Sequence, residues 1–383
     1  MRKILPLGVL LLLCTIGVHA QKKKNDVIKD LDSKSEKYSE IAHNIWDLAE
    51  MGYLEEQSSA LLQETLSNEG FTIEKGIAGI PTAFKAEYGS GYPVIAILGE
   101  YDALPGLSQE AVPEKKSAGK AAGHACGHHL FGTASTAAAI SVKNWMETNN
   151  IKGTIRFYGC PAEEGGSGKV YMVREGVFND VDVALHWHPS SANAASAGAA
   201  LANKSAKFRF YGVSAHAAGA PDRGRSALDG VEAMNAMVNM MREHIPQEAR
   251  IHYVITNGGK APNVVPDFAE VYYYARHNRR DVVVDMFDRM VKAAEGAALG
   301  TGTTMKYEMI GGTHELLPNL TVQKIMYDNL EKVGGVTYNE EEKAFAEKIS
   351  ATLGKGAPEI SSAEKIQPYK ETARAYGSTD VGD

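Results

Sequence analysis

Apolar residues recur at two different spacings along this chain, and the two spacings predict different elements. Between Lys37 and Met51, residues such as Tyr38, Ile41 and Ile45 follow one another at helical intervals, which predicts an amphipathic helix. Short continuous apolar runs follow and alternate with helical segments. The predicted strands are Pro93–Gly99, Thr154–Tyr158 and Val181–Trp187, and the predicted helices are Phe131–Glu147 and Tyr171–Glu175. This alternation indicates an α/β fold with a mainly parallel mixed sheet and helices on both faces.

The pattern changes between residues 203 and 315, where the elements follow the order β-α-β-β-α-β. Strands are predicted at Ala206–Tyr211, Arg250–Thr256, Glu270–Arg276 and Thr303–Ile310, and helices at Ala227–Glu243 and Val282–Ala298. This order is typical of a ferredoxin-like α+β module, which we interpret as an inserted dimerisation or lid domain. Leu320–Lys332 then resumes as a helix of the first domain. Residues 26–202 and 316–383 are therefore predicted to form one discontinuous catalytic domain.

The N-terminal segment differs from everything that follows it. Arg2 and Lys3 precede an apolar stretch that ends in Val18-His19-Ala20, which predicts a secretory signal peptide over residues 1–20. A membrane anchor is the alternative, but the apolar stretch is short for a bilayer span. We therefore expect an exported, periplasmic protein that has no membrane contact after cleavage.

The composition excludes some classes of partner. The 383 residues are 44% hydrophobic and 23% charged, an ordinary globular balance, and the net charge of -7 offers no basic footprint for nucleic acid. Beyond the leader, the cysteines are Cys126 and Cys160. They could form a disulfide in an oxidising compartment, but Cys126 lies within a cluster of histidines, and we favour metal binding.

Three clusters of polar residues carry the candidate chemistry. Cys126 and His128, separated by one glycine, can face the same Zn²⁺, Mn²⁺ or Co²⁺ ion, although such a pair alone is a weak signal. Glu163-Glu164 follows a strand, so one carboxylate could bind a metal while the other activates a water. The third cluster is His186-Trp187-His188, in which alternate residues of a strand would share one face. Since functional groups collect at the carboxyl ends of parallel strands, the clusters are expected to meet.

Several motifs in combination resemble one enzyme family across nearly all of the chain beyond the leader. The motifs are Asp102-Ala103-Leu104-Pro105, His124-Ala125-Cys126-Gly127-His128, Pro161-Ala162-Glu163-Glu164-Gly165-Gly166, Gly212-Val213-Ser214-Ala215-His216 and Asn263-Val264-Val265-Pro266-Asp267. They are similar to those of the metal-dependent amidohydrolases that include aminoacylases, carboxypeptidases, hippurate hydrolases and auxin-conjugate amidohydrolases. The runs Glu100–Leu107, Gly153–Gly159 and Gly377–Asp383 resemble the branch of this family that takes part in the use of aminobenzoyl-glutamate.

The resemblance implies a role for each matching residue. Cys126, His128 and Glu164 would be metal ligands, together with either His186 or His188, a choice that the motifs leave open. Glu163 would be the general base. His216 would reach the active site of a partner subunit and polarise the scissile carbonyl, and Asp102 is a further catalytic candidate. Asn263 and Arg276 would hold a carboxylate of the substrate.

The resemblance also implies an activity and its partners. Two divalent metal ions, Zn or Mn with Co as an alternative, would assist hydrolysis of an amide bond in an N-acyl amino acid or dipeptide. N-(4-aminobenzoyl)-glutamate is the favoured substrate, and a homodimer or a heterodimer with a paralogous subunit is expected. Chains of the family continue beyond the position of Asp383 with a strand, a helix and a histidine ligand, so the site is expected to lack one ligand here. A catalytically incomplete binding subunit and a broad dipeptidase are therefore the alternatives.

Overall fold

The computed structural model describes residues 25–195 and 200–371. The predicted signal peptide and the closing run Gly377–Asp383 lie outside the described residues. Among the described residues, 25–193 and 329–367 form a first compact unit, and the remainder forms a second. None of the helices in these described ranges is both long and apolar enough to span a bilayer.

The first unit consists of one mixed sheet, a short two-stranded ladder and the helices that pack on the sheet. The strands are β1 (Thr72–Lys75), β2 (Phe84–Ser90), β3 (Val94–Gly99), β4 (Leu104–Pro105), β5 (Ala122–Gly123), β6 (Gly153–Gly159) and β7 (Val183–Leu185). The helices are α1 (Ser35–Leu48), α2 (Glu56–Asn68), α3 (His128–Asn149), the short turn α4 (Glu163–Gly166) and α5 (Gly168–Arg174). A 3₁₀ turn spans Ile77–Gly79.

The main sheet has the strand order β1-β2-β6-β3-β7. Strand β3 pairs in parallel with both β6 and β7, whereas β1 and β2 form an antiparallel hairpin on the β6 side. Ile140 and Phe157 are buried in the core shared with α1, α2 and α3, and Met172 of α5 packs on the opposite face with Tyr158. The predicted α/β class, with helices on both faces of a mixed sheet, is confirmed.

The predicted start of the helix after the histidine cluster is wrong. Helix α3 begins at His128, three residues before the predicted start at Phe131, so His128 and His129 lie in its first turn. Gly127 makes this possible, because its φ of 87° is a left-handed conformation that favours glycine. Gly132 adds a close approach, since a Cβ there would lie 2.6 Å from the carbonyl oxygen of Glu100.

The second unit contains the predicted β-α-β-β-α-β order. Its elements are β8 (Ala202–Tyr211), α6 (Ala227–Met241), β9 (Arg250–Asn257), β10 (Phe268–His277), α7 (Arg280–Thr301) and β11 (Thr304–Thr313), with 3₁₀ turns at Pro221–Arg223 and Arg242–His244. The four strands are antiparallel in the order β11-β8-β10-β9, which is the ferredoxin-like arrangement.

Two more helices follow the second sheet, α8 (Leu320–Val333) and α9 (Glu340–Leu353), and a 3₁₀ turn spans Ile360–Glu364. Helix α8 is confirmed within one residue of its predicted range. The structure places residues 316–328 with the second unit, whereas the sequence pattern predicts that they belong to the catalytic domain. Helix α8 buries none of its residues.

The core of the second unit generates a test of this packing. Phe208 is fully buried. The centroid of its ring lies 5.9 Å from that of Tyr273 and 6.1 Å from that of Phe287. Phe208→Ala should lower the free energy of unfolding of this unit by about 3–5 kcal/mol, because it leaves a cavity. Leu299→Ala, at a position 85% exposed, is the matched control and should change it by less than about 0.5 kcal/mol. Urea denaturation followed by circular dichroism measures both, and equal losses would contradict the assignment of Phe208 to the core.

Candidate metal centre

The site lies where three neighbouring parallel strands end. Strand β3 is central, with β6 and β7 on either side, and a polar cluster follows each of the three. The start of α3 supplies a fourth group of polar side chains to the site. The short antiparallel ladder between β4 and β5 returns the chain to the end of β3, so that Cys126 and His128 arrive at the same edge. Sheet topology thus concentrates residues that are far apart in sequence.

Asp102 joins two parts of this site. Its side chain is buried, and its Oδ1 lies 2.8 Å from Nδ1 of His128. Its Oδ2 accepts a hydrogen bond of 2.8 Å from the backbone N–H of Glu164. Since an ionised carboxylate only accepts, Nδ1 of His128 donates the proton, and Nε2 is the ring nitrogen that faces the other polar groups.

A first group of possible ligands consists of Cys126, His128 and His188, whose ligand atoms all lie within 4.8 Å of one another. Sγ of Cys126 is 3.3 Å from Nε2 of His188. Nδ1 of His188 donates to the carbonyl oxygen of Pro189 at 2.8 Å, which leaves Nε2 available to the group. Both histidines therefore have one nitrogen tied to an acceptor of the protein and the other directed at the cluster, as metal-binding histidines do.

A second group shares His128 with Glu100 and Glu163. Oε2 of Glu100 lies 3.0 Å from Nε2 of His128, yet neither atom makes a hydrogen bond of acceptable geometry. Oε2 of Glu163 lies 3.9 Å from the same nitrogen. The other oxygen of Glu100 pairs with Nζ of Lys169 at 2.7 Å, in an ion pair that is almost completely buried. Two buried polar atoms that approach each other without a hydrogen bond fit the positions of two ligands of one cation.

The charges of the site shift the pKa values of its members. Burial opposes the charged form of His128, but its contacts with Asp102, Cys126 and Glu100 outweigh burial and raise its pKa well above the ordinary range. Burial likewise opposes ionisation of Glu100, but Lys169 and His128 lower its pKa to about 2. Burial raises the pKa of the Cys126 thiol, and the neighbouring Glu164 adds to this effect. The cluster is thus rich in carboxylates that a cation would stabilise.

The donor atoms suit a divalent transition metal. A thiol, two imidazole Nε2 atoms and carboxylates form the mixed set that Zn²⁺ accepts, and the carboxylates and imidazoles also suit Mn²⁺. Cys126 and Cys160 are both free of disulfide bonds, and Sγ of Cys160 contacts the carbonyl oxygen of Tyr158. The residues present therefore fit a metal, and Cys126 is available to it.

The structure separates His186 from His188. Strand β7 ends at Leu185, earlier than the predicted Trp187, so the rule that alternate strand residues share a face does not apply to the two histidines. Both rings lie beside Phe131, with centroid distances of 6.3 Å for His186 and 6.1 Å for His188. His188 joins Cys126 in a ligand group, whereas His186 belongs to neither group. Burial lowers the pKa of His186.

The remaining predicted residues lie in the second unit. His216 and Asn263 are neighbours. His216 forms an antiparallel β-bridge with Val264, and the N–H of Ala217 donates to the carbonyl oxygen of Asn263. Arg276 lies on β10 with its guanidinium over the ring of Tyr274 at 4.8 Å, and its Nε is buried without a hydrogen bond.

Three residues of the site, Glu100, Lys169 and Glu55, were not predicted from the sequence. Glu100 precedes Asp102 by two positions at the end of a strand, and this spacing could have indicated that both carboxylates face one site. Lys169 gives no such signal. Glu55 is fully buried, and its Oε1 accepts the backbone N–H of Ala162 at 2.8 Å. Burial, aided by the charge of Asp102, raises the pKa of Glu55 to about 7.

Known proteins are similar to this chain in sequence and in fold. Residues 96–376 match the model of peptidase family M20/M25/M40. The chain is 45% identical to a subunit of p-aminobenzoyl-glutamate hydrolase from Escherichia coli (strain K12), over 92% of this chain and 79% of the relative. It is 29% identical to Xaa-Arg dipeptidase of Mus musculus, over 81% and 72%. The crystal structure of an aminobenzoyl-glutamate utilization protein from Klebsiella pneumoniae superposes with a TM-score of 0.63 at 18% identity, covering 91% of this chain and 93% of that one.

The buried carboxyl of Glu55 generates a prediction about pH. Its pKa rises from 4.5 to about 7 on folding, so between these values the folded state binds the proton more tightly than the unfolded state does. The stabilisation is complete below the unfolded pKa and is lost as the pH rises through about 7. In the metal-free protein, Glu55→Gln should therefore be more stable than wild type at pH 8, by on the order of 2 kcal/mol, and closer to it at pH 5.

Urea denaturation in the presence of a chelator at the two pH values measures this difference. Glu64→Gln, at an exposed position on helix α2, which begins directly after Glu55, is the control and should have a stability close to that of wild type at both pH values. The same difference at both pH values in Glu55→Gln would show that this carboxyl does not titrate in the folded state as expected.

Proposed function

The chain belongs to peptidase family M20/M25/M40, and on this basis we propose that it hydrolyses the amide bond of N-(4-aminobenzoyl)-glutamate or a closely related N-acyl amino acid. Membership of the family makes the protein a metal-dependent amidohydrolase. The observation that carries the proposal is the pair of ligand groups that share His128, the second of which includes the Glu163 carboxylate. The name of the Escherichia coli relative supplies the substrate.

The metal ligands in this proposal are Cys126, His128 and His188, which form one ligand group, and Glu164, which belongs to neither group and is proposed from its sequence motif alone. We propose His188 rather than His186, because Nε2 of His188 lies 3.3 Å from Sγ of Cys126. We propose two divalent ions, zinc or manganese, with cobalt as an alternative. When bound, such ions polarise the substrate carbonyl and acidify a water molecule.

Glu163 is the proposed general base. Its carboxylate is mostly buried and lies 3.9 Å from Nε2 of His128, which places it beside the cation-binding atoms without a direct hydrogen bond to that nitrogen. It would accept the proton of the attacking water and deliver it to the nitrogen of the leaving amine. The neighbouring Asp102 keeps the His128 ring oriented through Nδ1.

His216 is proposed to reach the active site of a partner subunit and to donate a hydrogen bond there to the oxygen of the scissile carbonyl. Its Nδ1 accepts the backbone N–H groups of Ala218 and Gly219 at 3.2 and 3.0 Å, so in the neutral ring the proton resides on Nε2. A donor of this kind stabilises the negative charge that develops on a carbonyl oxygen during amide hydrolysis. Asn263, next to His216, and Arg276 are the proposed contacts for the substrate carboxylate.

The proposed assembly includes a second kind of subunit, since the Escherichia coli relative is itself named as one subunit of a hydrolase. A homodimer is the alternative, and size-exclusion chromatography of the chain alone would distinguish it from a monomer awaiting its partner. Export to the periplasm remains a prediction from the leader sequence.

The role of Glu163 can be tested by a conservative substitution. Glu163→Gln should keep its metal content and lose activity by about 10²–10⁴-fold, because an amide cannot accept the proton of the water. Glu175→Gln, at an exposed position after helix α5, should retain the activity of wild type. Hydrolysis of N-(4-aminobenzoyl)-glutamate and of an Xaa-Arg dipeptide should be measured side by side. Unimpaired turnover by Glu163→Gln would refute the base assignment, and preference for the dipeptide would favour the dipeptidase alternative.

The two cysteines provide a matched test of metal binding. Cys126→Ser should reduce zinc affinity by at least about tenfold, because a hydroxyl is a much poorer zinc ligand than a thiolate. Cys160→Ser removes a buried thiol that belongs to neither ligand group and should leave zinc affinity unchanged. Metal content by mass spectrometry after equilibration with graded chelator gives both values. Equal affinities would show that Cys126 is not a ligand, and a wild-type chain with neither metal nor activity would favour a non-catalytic binding role.

A further inference from the structure

The turn that carries the two glutamates has an unusual backbone. Ala162 and Ser167, on either side of it, have φ values of 57° and 54°, a left-handed conformation that non-glycine residues rarely adopt. Glu164 lies inside the turn with non-helical angles of -69° and 76°. Such a conformation persists only where surrounding contacts impose it, so the contacts that hold this turn bear on the function of its glutamates.

The first of these contacts comes from Glu55. Its Oε1 accepts the backbone N–H of Ala162, the residue immediately before Glu163, at 2.8 Å. Its Oε2 accepts the hydroxyl of Thr82 at 3.0 Å, and the whole side chain is buried. Both oxygens are therefore fixed. The carboxylate of Glu55 bonds to Ala162 at the entry to the turn, which lies 107 positions later in the sequence.

The second contact comes from Tyr53, at the other end of the turn. Its hydroxyl donates to the carbonyl oxygen of Gly166 at 2.6 Å. Tyr53 itself has a φ of 65°, so the loop that reaches the turn is also held in a left-handed conformation. The entry and the exit of the turn are thus each bonded to one residue of the same short loop.

The third contact is steric. A Cβ on Gly52 would lie 2.9 Å from the Cα of Ala162, closer than side-chain carbons approach backbone atoms. The loop therefore lies directly against the turn at the residue that Glu55 holds. A Cβ on Gly166 would in turn lie 2.9 Å from the ring of Tyr53.

From these contacts we propose that Tyr53 and Glu55, in the loop of residues 52–55 (the clamp loop), are positioning residues that hold the Glu163-Glu164 turn in its active geometry. Asp102 fixes only the N–H of Glu164, whereas the clamp loop fixes the backbone immediately before Glu163 and at Gly166. The inference rests on the proposed function, since it assigns Glu163 as the base whose carboxylate the loop positions. It implies that loss of either hydrogen bond lowers the rate of the chemical step without removing the metal.

The test compares three substitutions in the clamp loop with one control. Tyr53→Phe and Glu55→Ala each remove one hydrogen bond to the turn and should lower kcat by about tenfold or more, with KM and metal content little changed. Glu55→Gln keeps an acceptor for Ala162, and its amide can also meet the hydroxyl of Thr82, so it should retain kcat within about threefold of wild type. Leu54→Ala, at a position 59% exposed in the same loop, is the control and should behave as wild type.

Hydrogen–deuterium exchange of the peptide covering residues 160–168 provides a readout that does not require activity. Exchange should accelerate in Tyr53→Phe and Glu55→Ala but not in Glu55→Gln or Leu54→Ala, and far-ultraviolet circular dichroism confirms that each variant is folded. Unchanged exchange, or faster exchange with unchanged kcat, would overturn the proposal. If wild type hydrolyses no amide, the proposed function fails, and exchange alone then decides whether the loop holds the turn.

Discussion

The candidate site depends first on the two hydrogen bonds of one buried carboxylate. Asp102 is 1% exposed, and its oxygens meet Nδ1 of His128 and the N–H of Glu164, both at 2.8 Å. A buried charge is stable only when it is paired or hydrogen-bonded, so Asp102 requires both partners in place. Because those partners belong to a helix start and to the turn after another strand, the carboxylate sets the distance between the two ligand-bearing segments.

The charge balance around this carboxylate explains why the site suits a cation. Glu100, Asp102 and Glu163 are all buried within a few ångströms of His128, and Lys169 neutralises Glu100 from one side only. In the low dielectric of the interior, like charges at these distances repel strongly. Protonation of His128 relieves part of this repulsion in the cation-free protein, and a divalent ion can relieve more of it. Metal binding therefore competes with protons at this cluster.

Local sequence was sufficient for most of the fold and insufficient for the details of the site. Strands β3 and β6 are continuous apolar runs with polar residues directly after them, so their positions and their functional ends could be predicted. The position of His188 beside Cys126 could not be predicted, because it depends on the strand ending at Leu185, which pairing with β3 decides. The roles of Glu55 and Lys169 depend on contacts between distant segments, to which a single sequence gives no local signal.

The clamp loop also bears on the order in which the site assembles during folding. Its contacts with the glutamate turn span 107 and 113 residues, so they form only after a large loop of chain has closed. Cys126 and His128, in contrast, are two positions apart and are neighbours in any conformation of the chain. Under the proposed function, a partly folded chain can thus offer a cation two of its proposed ligands before the proposed base, Glu163, is held in position. The protein can acquire a metal before it is able to use it.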